Sequence, residues 1–151
     1  MELAIQEALY GLQQNEIPVG AVLVRNGEVL AKNHNRCVTD NDPTAHAEIL
    51  ALREGASRVG NFRLEGCELY VTLEPCPMCA GAIVHSRLKR LIFGAPCDKT
   101  GAVETVFRLL NDPRLNHQVQ VTGGVLAEQC KELLQVFFQV RREGGEVPKW
   151  S

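Results

Sequence analysis

The chain has 151 residues, of which 45% are hydrophobic and 23% charged, and its formal net charge is −2. This length suits one domain with its own core, expected to span residues 1–151, and no apolar run is long enough to cross a membrane. The net charge argues against a general affinity for nucleic acid, which would require a strongly basic domain. The N-terminus lacks a basic-then-apolar leader, so a cytoplasmic location is expected. In that reducing compartment the six cysteines are expected to be ligands, core residues or free thiols.

The first part of the chain predicts a helix followed by a β-hairpin. Apolar residues that recur on one helical face predict a helix over residues 1–14. Gly20 to Val24 is predicted to be a buried strand, and Asn26-Gly27 favours a two-residue hairpin turn. The second strand, from Val29 to about Asn33, is therefore expected to pair antiparallel with the first.

The remaining elements alternate between helices and strands. Asp42-Pro43-Thr44 is typical of a helix start and predicts a helix from about Ala45 to Ala56. Three more strands are expected at Glu68 to Leu73, Arg90 to Gly94 and Val119 to Val121. Three more helices are expected from about Pro77 to Ser86, around Glu104 to Leu110, and along the apolar face from Leu126 to Val140.

This order of elements predicts one α/β domain. A strand, helix, strand succession of this length implies a right-handed crossover and parallel pairing. We therefore expect a mixed five-stranded sheet with helices on both faces. The polar tail over residues 144–151 is expected to be mobile.

Two short segments have the composition of a metal site. They are His46-Ala47-Glu48 and Pro75-Cys76-Pro77-Met78-Cys79, and each lies where a helix is predicted to begin. A catalytic zinc ion keeps three protein ligands and one open position for water. His46, Cys76 and Cys79 supply such a set, and a helix N-terminus favours thiolate over thiol.

Glu48 has the properties required of a proton carrier beside this metal. Zinc activates a bound water as a nucleophile near neutral pH, and a carboxylate that is not itself a ligand can accept a proton and return it. Residues two apart on an ideal helix point about 200° apart. His46 and Glu48 can therefore share a site only if the metal lies at the end of the helix.

Two alternatives apply to the cysteine pair, which could be half of a structural zinc site or a redox pair. A structural site needs a second ligand pair, but the other cysteines, Cys37, Cys67, Cys97 and Cys130, are scattered singly. A redox pair would leave His46 unexplained. A catalytic zinc site accounts for both segments.

These segments resemble the cytidine-deaminase-like superfamily, in which His-x-Glu is followed by Pro-Cys-x-x-Cys. Further segments resemble its bacterial tRNA-specific adenosine deaminase branch, and the similarity covers nearly the whole chain. They are Pro18-Val19-Gly20-Ala21, Asp42-Pro43-Thr44-Ala45-His46-Ala47-Glu48, Leu69-Tyr70-Val71-Thr72-Leu73-Glu74-Pro75-Cys76, Cys79-Ala80-Gly81-Ala82-Ile83, Lys99-Thr100-Gly101, Leu115-Asn116-His117, Phe137-Phe138 and Arg141-Arg142.

The resemblance implies a three-layer α/β/α fold and deamination of adenosine to inosine at wobble position 34 of a tRNA anticodon, in an arginine tRNA. It further implies a homodimer with one zinc ion per subunit. His46, Cys76 and Cys79 would bind zinc, and Glu48 would move protons. Asn35, the backbone of Ala47, Ile17 and Pro18 would surround the flipped adenine.

The RNA itself is expected to meet other residues. The candidates are Lys99, Phe138, Arg141, Arg142 and His85, although a histidine such as His85 is more often a surface or hydrogen-bonded residue. Phe137 and Phe138 are adjacent, so one can be left to stack on a base, which contributes about 1–3 kcal/mol. Many relatives have an acidic residue where Cys97 stands. Either Asp98 replaces it or that contact is lost.

Two other functions remain open. The acidic net charge favours a deaminase of free nucleobases or nucleotides, such as guanine, cytosine or dCMP. A non-catalytic subunit would keep the fold and zinc for structure alone, but such a protein is expected to lose its catalytic glutamate, and Glu48 is present.

Overall fold

Five strands form one mixed sheet in the computed structural model, which describes residues 1–147. The strands are β1 (Gly20–Arg25), β2 (Glu28–His34), β3 (Cys67–Leu73), β4 (Arg90–Ala95) and β5 (Gln120–Thr122). Their order across the sheet is β2-β1-β3-β4-β5. Strand β1 is antiparallel to β2 and β3, whereas β3, β4 and β5 are parallel. The prediction of a mixed five-stranded sheet is confirmed.

Four helices cover the two faces of this sheet. They are α1 (Glu2–Gln13), α2 (Ala47–Val59), α3 (Pro77–His85) and α4 (Ala127–Arg142). Helices α1 and α4 contact each other and the sheet, while α2 packs on β1, β2 and β3 and contacts α3. Gly20 of β1 faces α1, and Leu23 faces Gly55 of α2. Because side chains three apart on a strand point to opposite faces, the fold has three layers, as expected.

The predicted hairpin turn joins β1 to β2. Asn26 and Gly27 have φ angles of 51° and 77°, in the left-handed region that a two-residue turn of this kind requires. Arg25 pairs with Glu28 across the turn. The sequence therefore sets the register of these two strands locally.

Two predicted helices differ in the structure. Helix α2 begins at Ala47 and not near Ala45, because Asp42 accepts hydrogen bonds from the backbone N–H and hydroxyl of Thr44 and His46 stays extended. The predicted short helix around Glu104 to Leu110 is wrong, since this segment forms turns and an irregular loop. The N–H groups there donate to a distant carboxylate and to a loop carbonyl.

The other predicted elements form within two residues of their expected ends. The predicted mobile tail begins at Gly144, and its residues 148–151 lie outside the described part of the chain. Within residues 1–147, none of the helices combines the length and apolar character that a membrane crossing requires.

Candidate active site

The ends of several strands meet at one edge of the sheet and form the site. Strands β3 and β4 are parallel, so the segments that follow both of them leave at this edge. Strand β1 runs the opposite way, so the segment that precedes it arrives there, and the Gly20 N–H donates to the Thr72 hydroxyl at 3.1 Å. Helices α2 and α3 also begin at this edge. Their first turns carry the predicted metal ligands.

His46, Cys76 and Cys79 lie together, with ligand atoms all within 4.8 Å of one another. The Nδ1 atom of His46 is 3.7 Å from the Sγ of Cys76 and 3.5 Å from the Sγ of Cys79. Zinc–nitrogen and zinc–sulfur bonds of about 2.0 and 2.3 Å in a tetrahedral site separate these atoms by about 3.6 Å. The arrangement of donors therefore fits zinc.

The local backbone explains how three ligands from two segments converge. His46 and Cys76 are the residues just before α2 and α3, and both are extended. Cys79 lies in the first turn of α3 and is fully buried. His46 is thus outside the helix that carries Glu48, so the three candidate ligands lie at the end of α2 and not on its flank.

The cysteine pair is poised to hold a metal cation. The pKa of the Cys76 thiol is lowered to about 4, mainly by the hydrogen bond with Cys79 and further by the contact with His46. Burial acts in the opposite direction but is outweighed. The same bond to Cys76, together with burial, raises the pKa of Cys79. One thiolate is therefore already favoured, and binding of a cation would displace the proton of the second.

Glu48 faces the same cavity from the first turn of α2 and is 4% exposed. Burial raises the pKa of its carboxyl, in spite of a hydrogen bond with Cys79 that acts in the other direction. A carboxyl with a raised pKa that lies beside the ligand group is suited to exchange protons near neutral pH.

The cavity beside these residues has a volume of about 520 Å³. Ile17 and Asn35, which were expected beside the base, line it, and so do Lys99 and Phe138, which were predicted as RNA contacts. Pro18 is buried and does not line it, although its neighbours Ile17 and Val19 do. The structure therefore brings together four of the predicted substrate contacts with the metal ligands and Glu48.

Asn35 and Ala47 contact each other directly. The side-chain oxygen of Asn35 accepts the Ala47 backbone N–H at 2.8 Å, and Ala47 is fully buried. Asn35 thereby caps the first turn of α2. A base that used the N–H of Ala47 would have to replace this bond.

His85 is not brought to the cavity. It is the exposed last residue of α3, six residues after Cys79, which corresponds to about 9 Å along a helix. Among the described residues, 1–147, His85 is not one of those that line the cavity.

A second groove adjoins the cavity and shares Lys99, Leu134 and Phe138 with it. We call it the basic groove. Its volume is about 570 Å³, and its charged lining residues are all cations: Lys99, Lys131, Arg141 and Arg142. Three of these four were predicted. Lys131 was missed because a lysine on the polar face of an amphipathic helix has the same pattern as any solvated residue.

Phe137 and Phe138 differ in burial, as the alternative in which one ring is left to stack on a base requires. Phe137 is buried, whereas Phe138 is 47% exposed and lines both the cavity and the basic groove. The two rings make an edge contact with centroids 5.3 Å apart. Phe138 is thus held by its neighbour with part of its ring open to solvent.

Glu74 is a residue of the cavity that the sequence reasoning missed as a site residue. It is 2% exposed and accepts hydrogen bonds from four backbone N–H groups. Burial alone would raise the pKa of its carboxyl, but these donors outweigh burial and lower it. The sequence feature that could have identified Glu74 is its position as a single acidic residue between an apolar strand and Pro75.

Cys97 and Asp98 both line the cavity, so Asp98 is near enough to provide the acidic group that position 97 lacks. The Cys97 thiol lies 3.4 Å from the Thr100 hydroxyl. Asp98 therefore presents a carboxylate one residue further along the same wall.

The comparisons with known proteins agree with this architecture. Residues 1–95 match the family profile of the cytidine and deoxycytidylate deaminase zinc-binding region. This match, the sheet order and the His-Cys-Cys group place the chain in the class of zinc-dependent deaminases.

Individual proteins that resemble this chain indicate which family of deaminases it belongs to. A tRNA-specific adenosine deaminase from Haemophilus influenzae is 51% identical over 99% of this chain and 87% of its own. A structure from studies of A-to-I editing by tRNA:A34 deaminases at the wobble position of transfer RNA is 46% identical with a TM-score of 0.86, covering 89% of this chain and 97% of that one. A guanine deaminase structure from Bacillus subtilis is 31% identical with a TM-score of 0.62, covering 99% and 96%. The chain belongs to the family of tRNA-specific adenosine deaminases.

Proposed function

We propose that this protein deaminates adenosine to inosine at wobble position 34 of a tRNA anticodon, in a zinc-dependent hydrolysis. Similarity to the tRNA-specific enzymes supports the reaction. The observation that supports RNA as the substrate is that the cavity is continuous with the basic groove. A free nucleobase fills only the cavity, whereas a nucleotide in a chain has flanking phosphates that cations can bind.

The residues divide the chemistry between them. His46, Cys76 and Cys79 hold zinc, and zinc in such a three-ligand site activates a water as nucleophile near neutral pH. Glu48 takes one proton from the nucleophilic water and delivers it to the ring nitrogen as the C–O bond forms. It then takes the remaining hydroxyl proton and delivers it to the amine, which leaves as ammonia when the C–N bond breaks. Its support is its burial beside the ligands, where solvent does not compete for the proton.

The base is held by the walls of the cavity. Ile17 supplies an apolar wall, and Pro18 fixes the chain beside it. The side-chain NH₂ of Asn35 is the donor that remains on this residue, because its oxygen already accepts from Ala47. Asn35 therefore offers a donor to an adenine ring nitrogen.

The phosphate backbone meets the basic groove, with Lys99, Lys131 and Arg142 as its cations and Phe138 as a stacking surface. Arg141 has a second task, because its Nη2 donates to the Asn15 carbonyl at 3.2 Å and its guanidinium lies 5.2 Å from the Phe137 ring centroid. A variant of Arg141 would alter this packing as well as the charge.

The test is a salt titration of binding to an anticodon stem-loop that bears a wobble adenosine. The K131A/R142A double variant should bind more weakly than the parent. If each side chain contacts one phosphate, the slope of log K against log salt should become shallower by about 1.4–1.8. Turnover of bound substrate should stay the same, because neither residue lines the cavity.

The matched control is the R63A/K89A double variant, which removes two exposed cations from a separate pocket away from the zinc cavity. It makes the same change in net charge. Equal loss of affinity and equal slopes in the two double variants would show that the basic groove is not the RNA site.

The second candidate is deamination of a free purine. The 31% identity with a guanine deaminase structure over nearly the whole chain favours it. Parallel assays of the stem-loop and of free guanine, adenosine, cytosine and dCMP discriminate the two functions. If a free compound is turned over at a rate that is the same in the parent and in both double variants, this second function is supported.

We also propose a homodimer with an arginine tRNA as substrate, as the family resemblance implies, and a location in the cytoplasm, as expected from the lack of a leader pattern. Several large apolar side chains are exposed on the isolated chain, as an interface between copies requires. They include Phe62, Val38, Phe107 and Val106. His85, exposed at the end of α3, remains a candidate contact for RNA that extends beyond the cavity.

A further inference from the structure

The loop that follows β4 forms one wall of the cavity. Residues Pro96 to Thr100 line the zinc cavity, and Lys99 also lines the basic groove. Over residues 96–105 the chain has neither helix nor strand. The position of this wall therefore depends on contacts with other parts of the molecule.

The carboxylate of Glu74 joins the two ends of this loop. Its Oε1 accepts the Cys97 N–H at 3.2 Å, on the side where the loop begins. Its Oε2 accepts the N–H groups of Val103, Glu104 and Thr105 at 3.1, 2.9 and 3.1 Å, where the loop ends. The lining residues from Cys97 to Thr100 lie between these two anchors.

Two neighbouring contacts complete the anchor. The Thr105 hydroxyl lies 3.1 Å from Oε2 of Glu74 and 2.7 Å from the carbonyl oxygen of Cys97, so it bridges the two loop ends. A Cβ on Gly101 would overlap the Glu74 carboxylate and the Thr105 hydroxyl. The backbone can thus approach the carboxylate this closely only where residue 101 is glycine.

A carboxylate suits this position better than any other side chain. All of its partners are N–H or O–H donors, and it accepts through both oxygens, with charge-assisted bonds that are stronger than neutral ones. Glutamine has the same shape but would turn an NH₂ group towards one set of donors. Glu74→Gln therefore removes half of the anchor with little change in volume.

We propose that Glu74 is a positioning residue for substrate binding: it fixes the loop of residues 97–105 and so sets Cys97, Asp98 and Lys99 against the bound nucleotide. The proposal rests on the proposed function. Glu74 acts through the loop and takes no part in proton transfer. Its loss is expected to weaken binding while the chemistry at Glu48 continues.

The experiment compares Glu74→Gln with the parent and with Glu104→Gln, which neutralises an exposed carboxyl in the same loop. The KM for the stem-loop should rise at least tenfold in Glu74→Gln, with kcat within threefold and zinc content unchanged. Glu104→Gln should match the parent. An unchanged KM, or a loss of kcat with an unchanged KM, would overturn the proposal.

A second readout does not depend on activity. The Cys97 thiol belongs to the anchored loop and is half-buried, so release of the loop should speed its alkylation at least fivefold, as followed by mass spectrometry of the Cys97 peptide. If the parent fails to deaminate the stem-loop, the proposed function fails, whereas unchanged alkylation in Glu74→Gln shows that the anchor itself is wrong.

A milder variant covers the case in which Glu74→Gln does not fold. Thr105→Val removes only the bridging hydroxyl and should raise both KM and the alkylation rate in the same direction. Thr105→Ser should restore both. Equal values in the valine and serine variants would also overturn the proposal.

Discussion

At the scale of single residues, the cavity combines structural and chemical tasks in the same side chains. Asn35 caps α2 with its oxygen and lines the cavity. Cys76 precedes α3 and contacts His46. Substitution of such residues changes the local fold as well as the chemistry. Glu48 is the cleaner case, because the hydrogen bond of its side chain within the site is with Cys79, one of the candidate ligands.

We expect Glu48→Gln to lower deamination by at least about 100-fold, the range over which general acid–base catalysis contributes, while zinc stays bound. The amide keeps the shape of the side chain but cannot carry the proton. Inosine and ammonia release measure the activity, and elemental analysis measures zinc. Glu65→Gln, on an exposed residue that does not line the zinc cavity, is the control. Activity within tenfold of the parent, or loss of zinc, would contradict this role.

At the scale of elements, close packing of helix on sheet depends on small residues. A Cβ on Gly20 of β1 would overlap the backbone of α1 at Ala4 and Ala8. No side chain can move aside to relieve a clash with backbone, so α1 would have to shift away from the sheet. Because residues 17–19 connect α1 to β1 beside the cavity, such a shift would also reach the pocket wall.

Gly20→Ala should therefore destabilise the protein by about 1–3 kcal/mol, as overpacking does. For a chain of this size each kcal/mol lowers the Tm by about 2–4 °C. Gly81→Ala is a matched control, since a Cβ there meets no atom within 4 Å and residue 81 lies within α3. It should leave the Tm unchanged or raise it. Equal effects of the two substitutions would exclude the close approach of α1 as the cause.

Elements with strong local patterns were predictable from the sequence. The Asn26-Gly27 turn, the parallel crossover through α3 and the His-Cys-Cys group depend on spacing alone. The predicted helix around Glu104 to Leu110 does not form, because the N–H groups of Val103, Glu104 and Thr105 donate to the carboxylate of Glu74. Glu74 lies some thirty residues earlier in the chain. Neither composition nor periodicity reports a hydrogen bond over such a separation.

At the scale of the whole molecule, one chain leaves several large apolar side chains in contact with water. Burial of such side chains against a second copy gives a favourable free energy that grows with the apolar area removed from water. In a closed symmetric dimer both copies would bury the same residues.

Light scattering at micromolar concentration should therefore give the mass of two chains. A mass of one chain would contradict the dimer directly.

The concentration of four cations in the basic groove also has a kinetic consequence. Without these four charges, a formal net charge of −2 leaves −6 on the rest of the chain. Positive charge is therefore concentrated beside the cavity of a chain that is otherwise net acidic. A polyanion that approaches the groove is drawn in and oriented before contact. The rate of productive encounter, separately from the strength of the final complex, is thus set by where the charges lie on an acidic protein.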